Sequence, residues 1–424
     1  MAAVSSGKEY FCTISENDMK ILHTADWHLG NTFHSHSRLQ EHEHFLSWLV
    51  GTLSEEEPDV VLLAGDIFDS PNPSASAENL FYKFLHDATD AVPGLQIVVC
   101  AGNHDSGGRL EAPEALLYTH NIYVRGTLRR NENDNPDYAA HIIPVSLRSD
   151  PEAKAVVFAM PYLRSGDYAL GLTQEEGIRE AFKQMERELK RSDFGGLPVV
   201  VCAHFYAAGA EVVESEHSER LVVGGQDCVD ADKVCPKAAY LALGHIHKAQ
   251  QVGARSWYSG SALPMSFSEK KYVHGVNIVS LDDDGEASVV RKTYKPLRPL
   301  VSIPEKGAAS VEQLLNDIEA LPNRKKDDEG ADWPYVELRV HESRPEPGLL
   351  HAVTEALSEK AVRFCRMTRE VAEASKRDKA ETDNKQVTQL EPADLAQRVF
   401  ESRYHEPMPK DMLSRLQEAI DATE

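Results

Sequence analysis

At 424 residues the chain exceeds what a single hydrophobic core usually covers, so one large domain plus a smaller one is expected. Hydrophobic residues at 42% and charged residues at 27% fit an ordinary globular protein. No run approaches the roughly 18 apolar residues that span a bilayer, and the first twenty residues lack the apolar core of a signal peptide, so the cytoplasm is the expected compartment. The net charge of −23 argues against strong unaided DNA binding, because proteins that neutralise phosphates usually show a basic face.

Residues 1–18 read as an extension ahead of Met19. Short apolar runs then alternate with helix-like segments. Strands are predicted at 20–24, 59–64, 96–101, 155–160, 198–203 and 240–243, with amphipathic stretches such as 38–53 and 75–91 between them. This alternation predicts an α/β domain. After Gly244 the runs at 255–259, 272–281 and 287–294 follow one another directly, the last two joined by a hairpin-like turn at Asp282-Asp283-Asp284-Gly285. An α/β start with an antiparallel finish suits a β-sandwich with helices on its outer faces, an α/β/β/α arrangement over residues 19–298. Prolines at 296 and 299 mark a break, and 299–371 reads as a small β-α-β-α-β capping unit. Residues 372–390 are rich in charge and poor in apolar positions, as in a solvated linker. The tail, 391–424, carries two amphipathic segments that form a helical pair.

The chemistry-bearing residues fall at strand ends. Asp26-Trp27-His28 comes first, then Gly65-Asp66-Ile67-Phe68-Asp69 and Gly102-Asn103-His104-Asp105; His204 closes the fourth run and Gly244-His245-Ile246-His247 follows a later one. Asp-x-His alone is nearly worthless, and Gly-Asn-His-Asp or Gly-His-x-His alone is moderately informative. Together, each after an apolar run, they form an ordered set of carboxylate, imidazole and amide-oxygen donors suited to Mn²⁺, Fe²⁺ or Zn²⁺. The glycines are expected to let the backbone turn sharply where a side chain must enter the site. The six cysteines form no CxxC pair and read as buried thiols or surface residues, not as a zinc site or disulfide framework.

This set resembles the calcineurin-like metallophosphoesterases. The opening Lys20-Ile-Leu-His-Thr-Ala-Asp-Trp-His-Leu-Gly30 and the later Tyr258-Ser-Gly-Ser-Ala-Leu-Pro-Met-Ser-Phe267 are similar to the SbcD family of nuclease subunits, relatives of the archaeal and eukaryotic double-strand-break repair nucleases. The resemblance is specific from residue 19 to about 300 and architectural beyond. It implies that Asp26, His28, Asp66 and His247 bind one divalent metal and Asp66, Asn103, His204 and His245 a second, with Asp66 bridging. It implies Mn²⁺, with Mg²⁺ as the alternative. His104 becomes the candidate acid for the leaving oxygen, and Asp69 stands where related phosphatases orient that histidine with a carboxylate. A repair-nuclease histidine is replaced by Asp69, so the proton relay differs in detail.

No G-x-x-x-x-G-K-[ST] occurs, so no nucleotide is expected on this chain. In the family the ATPase is a coiled-coil partner, expected to dock on 391–424 through stripes such as Leu395, Val399, Phe400 and Leu413, Leu416, Ile420. The expected activity is that of a DNA exonuclease and endonuclease, in a homodimer within a heterotetramer. The competing readings are a small-substrate phosphatase or phosphodiesterase on the same fold, and a DNA-end scaffold with a vestigial site. Among other residues, His34, His36, His42 and His44 read as exposed loop and helix start, His23 as a packed core histidine, Trp27 as packing beneath the site, and Arg125, Arg129 and Arg130 as solvated surface. His34 and Arg38 are weak candidates for touching DNA, and Asp105 for either a turn anchor or a ligand.

Overall fold

The apolar runs pair into two six-stranded mixed sheets. The computed structural model describes residues 18–212, 228–328, 330–342 and 348–371, together with Phe400, Met408, Met412 and Leu413. In the first sheet the order is Ala287–Thr293, Gly275–Leu281, Met19–Thr24, Val60–Ala64, Gln96–Cys100 and Ile122–Arg125. The first two pairings are antiparallel and the other three parallel. The second runs Gln250–Val252, Ser256–Tyr258, Ala238–Gly244, Val199–His204, Asp150–Met160 and Ile142–Leu147, parallel inside and antiparallel at both edges.

The central strands are covered on both faces, which is why they read as continuous apolar runs and not as alternating ones. Ile21, Leu62 and Val98 meet Val157, Cys202 and Ala242 across the seam between the sheets. On the outer face of the first sheet, Leu22, Leu63 and Val99 lie in one core with Phe45 and Leu49 of helix Leu39–Glu56 and Phe81 and Phe84 of helix Ala75–Ala91. Helix Gln174–Arg191 covers the second sheet through Phe182 and Met185. Thr173 caps that helix in a reciprocal capping box with Glu176. The layers are therefore the expected ones, and the strands Ile122–Arg125 and Ile142–Leu147 are added to them. The run expected from 272 enters its sheet at Gly275, where a side chain would meet the Lys292 carbonyl at 2.0 Å.

A third sheet, Leu300–Ile303, Tyr335–Glu342 and Arg363–Val371, packs with helices Val311–Glu319 and Leu349–Leu357 around Leu314, Val336, Leu338 and Val353. A buried polar cluster ties it to the sandwich. The Glu41 carboxylate accepts from Arg38 (2.9 Å), from Arg298 (3.3 Å) and from the Tyr335 hydroxyl (2.6 Å). The chain divides into two units, 1–370 and 371–424. In the second, Phe400, Met412 and Leu413 are helical; the extension before residue 18, the linker, and Leu395, Val399, Leu416 and Ile420 lie outside the described residues. Among the described residues no helix is long and apolar enough to cross a membrane.

Glu41→Ala leaves two buried guanidinium groups without their carboxylate, a loss on the order of 3–5 kcal/mol. Urea unfolding should show that drop, while Glu43→Ala, at an exposed position on the same helix, stays near the parent.

Candidate metal centre

The strands Met19–Thr24, Val60–Ala64, Gln96–Cys100, Val199–His204 and Ala238–Gly244 deliver their carboxyl ends to one end of the seam, where α/β sheets gather ligands. Main-chain bonds lace the loops together. Asp26 N–H donates to Gly65 O (3.0 Å), His28 N–H to Asp66 O (3.0 Å), and His245 N–H to Asp26 Oδ1 (2.9 Å). Asp26, His28, Asp66 and His245 all sit at positive φ, between 47° and 106°. Asp and His tolerate that region better than most residues but still at a cost.

Two buried clusters result, Asp26 with His28 and His247, and Asp66 with His204 and His245; within each the donor atoms lie within 4.8 Å of one another. Asp66 stands between them, its Oδ2 at 3.8 Å from His28 Nε2 and 3.3 Å from His204 Nε2. Asn103 Oδ1 lies 2.9 Å from His204 Nε2 and 3.1 Å from His245 Nδ1. His204 Nδ1 faces Ala64 O at 2.9 Å, which places its proton there and turns Nε2 inward.

The donors fit divalent cations. Asp26 Oδ2 is buried with no hydrogen-bond partner among the described residues. His28 Nε2 and His247 Nε2 face each other at 3.2 Å, while their Nδ1 atoms face carboxylates, Asp69 at 3.6 Å and Glu269 at 3.1 Å. Protons on both Nδ1 atoms leave two lone pairs pointing at each other, an arrangement that a cation between them would stabilise. Burial pushes the Asp26 carboxyl up to about 7 against the pull of His204 and His247. For His204, burial alone would lower the pKa, but Asp66 and Asp26 outweigh it and raise it to about 9. The first shift is that of a carboxylate stripped of its hydration, the second that of an imidazolium held by buried carboxylates.

The glycines act by close approach more than by turning. A side chain on Gly102 would place Cβ 2.1 Å from Asp66 Oδ1, and on Gly244 1.8 Å from Ala64 O; Gly65 alone of the three has a positive φ, +87°. Asp105 is a turn anchor: its carboxylate accepts from the N–H groups of Gly102 (2.8 Å), Ile67 (3.2 Å) and Phe68 (2.9 Å).

His104 stands at the rim, half-buried, its ring edge-on to His28 with centroids 4.8 Å apart. Its Nδ1 hydrogen-bonds the main-chain carbonyl of Asp69 at 3.0 Å, so Asp69 orients His104 through its backbone. The Asp69 carboxylate accepts from Asn31 (2.9 Å) and faces His28. The Asp69 carboxylate also falls in one group of possible ligand atoms with His28 and His104, all within 4.8 Å of one another.

Two further residues at the site carry no motif. Glu269, buried behind His247, lies two residues beyond the Tyr258–Phe267 run, at a position with no periodic signal of its own. Arg164 reaches the main-chain oxygens of Asp105 (3.0 Å) and Asn103 (3.5 Å) with an exposed guanidinium that has no carboxylate partner among the described residues. Other expectations hold in part: His34, His44 and Arg130 are exposed as expected. His42 and Arg38 are buried, so Arg38 is not placed to meet DNA; His36 bonds Phe364 O (3.0 Å), and His44 bonds the Tyr294 hydroxyl (2.7 Å). Arg125 is buried against Glu114, Arg129 also pairs with Glu114, and Arg130 lies 3.5 Å from Asp134. His23 bonds Tyr240 in the core (2.8 Å), and Trp27 packs beneath the site on Phe84.

The calcineurin-like phosphoesterase family model matches residues 19–249, and a second model, the type 5 capsule protein repressor C-terminal domain, matches 296–404. The SbcD subunit of nuclease SbcCD from Rhodobacter capsulatus is 38% identical over 362 residues, covering 82% of this chain and 87% of that protein. Its counterpart from Bacillus subtilis is 32% identical over 357 residues (78% and 85%), and that from Escherichia coli K12 31% over 316 (70% and 73%). With a phosphoesterase model over more than half its length and curated relatives matched along most of theirs, this chain belongs to the SbcD family of calcineurin-like phosphoesterases.

Proposed function

We propose that this chain is a Mn²⁺-dependent DNA nuclease subunit that works with an SbcC-like coiled-coil ATPase in processing DNA ends. The observation that carries the reading is the Asp66 carboxylate shared by two His/Asp clusters, in a chain whose relatives are named as nuclease subunits. Asp26, His28, Asp66 and His247 would hold one cation, and Asp66, Asn103, His204 and His245 the other. Mn²⁺ suits this mixed oxygen and imidazole set, and Mg²⁺ is the alternative. When bound, such a pair screens the charge of a phosphodiester and lowers the pKa of a water for in-line attack.

The remaining work falls to the protein. The laced loops fix the ligands before substrate arrives, which preserves orientation at no further entropic cost. Carbonyl and carboxylate partners on Nδ1 of His204 and His247 set the tautomers that turn Nε2 inward. His104, held by the Asp69 carbonyl through Nδ1, would present Nε2 to the leaving 3′ oxygen and give it a proton. Arg164 lies beside that group with a guanidinium suited to a neighbouring phosphate. The dimer and the docking of the ATPase on 391–424 belong to the same proposal.

Cleavage of end-labelled duplex and hairpin DNA with Mn²⁺, Mg²⁺ or EDTA tests the reading, with an aryl phosphodiester in parallel. Mn²⁺-dependent DNA cutting is expected; turnover of the small diester with DNA untouched, even with the ATPase present, would favour the small-substrate alternative. His104→Ala should lower cleavage by about 10²–10⁴-fold with bound Mn²⁺ unchanged; loss of metal would reassign it as a ligand. Gly102→Ala drives a methyl into Asp66 and should empty the site of metal by elemental analysis, whereas Gly108→Ala, with open space around its Cβ, should bind normally. Deleting 391–424 should spare metal-dependent cutting and abolish co-purification with the ATPase; continued co-purification would place the docking surface elsewhere.

A further inference from the structure

Glu269 ends the short turn Phe267–Glu269, is buried, and accepts from His247 Nδ1 through Oε1 (3.1 Å) and from Met265 N–H through Oε2 (2.7 Å). The Nδ1 proton is thereby pinned, and Nε2 is turned toward His28 Nε2 at 3.2 Å. A carboxylate behind a ligating imidazole fixes its tautomer and ring plane and raises its basicity.

The segment that carries Glu269 is held from the third sheet. Pro264 O accepts from Arg38 Nη1 (2.7 Å), and Arg38 pairs with Glu41, the carboxylate that also receives Arg298 and Tyr335. The next residue, Lys270, donates to Ser302 Oγ (2.6 Å), which donates to the buried carboxylate of Glu337 (2.7 Å). Phe267 packs on Phe33, with the Arg366 guanidinium 5.2 Å from its ring centroid. Polar contacts thus run from the third sheet through the 264–270 segment to Glu269 and His247. Such contacts transmit small displacements because buried hydrogen bonds tolerate little stretching.

We propose that Glu269 is the positioning residue for His247, and that the 264–270 segment makes the metal position served by His247 depend on the seating of the third sheet. The inference rests on His247 being a ligand, as in the proposed function.

The test is Mn²⁺ titration of the full chain followed by the EPR signal of free ion, which needs no turnover. Glu269→Ala should weaken one of two binding positions by about 10–100-fold and leave the other as it was. Glu269→Gln, which keeps one acceptor role of the two, should fall between. Lys270→Met, which leaves every donor and Glu269 in place, should weaken the same position by a smaller factor. His247→Ala is the reference: if it leaves both positions tight, the ligand reading fails. If it loses one while Glu269→Ala does not, the positioning role is overturned; should thermal unfolding show that Glu269→Ala has not folded, Glu269→Gln decides by the same criterion. An unchanged affinity in Lys270→Met would overturn the link to the third sheet.

Discussion

The site depends on keeping two carboxylates, Asp26 and Asp66, fully buried between two sheets. Desolvating an ion costs several kcal/mol even after relaxation, and nearby imidazoles return part of it. The local backbone adds to the cost: Asp26, His28, Asp66 and His245 at positive φ contribute about 1–3 kcal/mol each. The surrounding loops are bonded to one another, with Asp105 and His104 both joining the second loop to the third, because an arrangement this strained persists only when its neighbours over-determine it. Divalent cations would offset the electrostatic part directly, so that metal binding and the stability of this end of the sandwich become one quantity.

The same constraint explains what could be read from sequence. The donors follow directly on strands buried on both faces, whose apolar runs are conspicuous, so motif and strand identified each other. The layers and the third sheet's β-α-β-α-β order were legible for the same reason. Ile142–Leu147 was less so, because it lies at a sheet edge where burial alternates and the apolar run is broken. Ile122–Arg125 is four residues long, too short for a periodic signal. Glu269 and Arg164 carry no local pattern at all; their roles arise from contacts across the fold, Glu269 to a residue 22 positions away and Arg164 to one 59 away. Histidine count misled in the opposite direction: His42 looks like a surface residue beside a motif yet is buried under the site.

The acidic balance of −23 takes on a different meaning once the pairings are known. Arg38 and Arg298 are engaged by Glu41 inside the molecule, Arg125 and Arg129 by Glu114, and Arg339 and Arg366 by Glu337. These pairings neutralise the cations within the fold, and even Arg129, Arg339 and Arg366 keep only 27–28% of their side chains exposed. A nuclease built this way would draw its hold on a polyanion from the metal centre, from isolated groups such as Arg164, and from its partner.

The support behind each histidine follows a division that fits the proposed chemistry. Of His28 and His247, the pair whose Nε2 atoms face each other, His247 is hydrogen-bonded at Nδ1 to Glu269, while the Asp69 carboxylate stands 3.6 Å from His28 Nδ1. A carboxylate there strengthens the lone pair that a cation needs. His104 is backed at Nδ1 by a neutral carbonyl, which orients the ring without adding a full charge at that hydrogen bond. Asp69 stands between the two rings, its carboxylate 3.6 Å from His28 Nδ1 and its main-chain carbonyl bonded to His104, so a change at this one residue reaches both imidazoles.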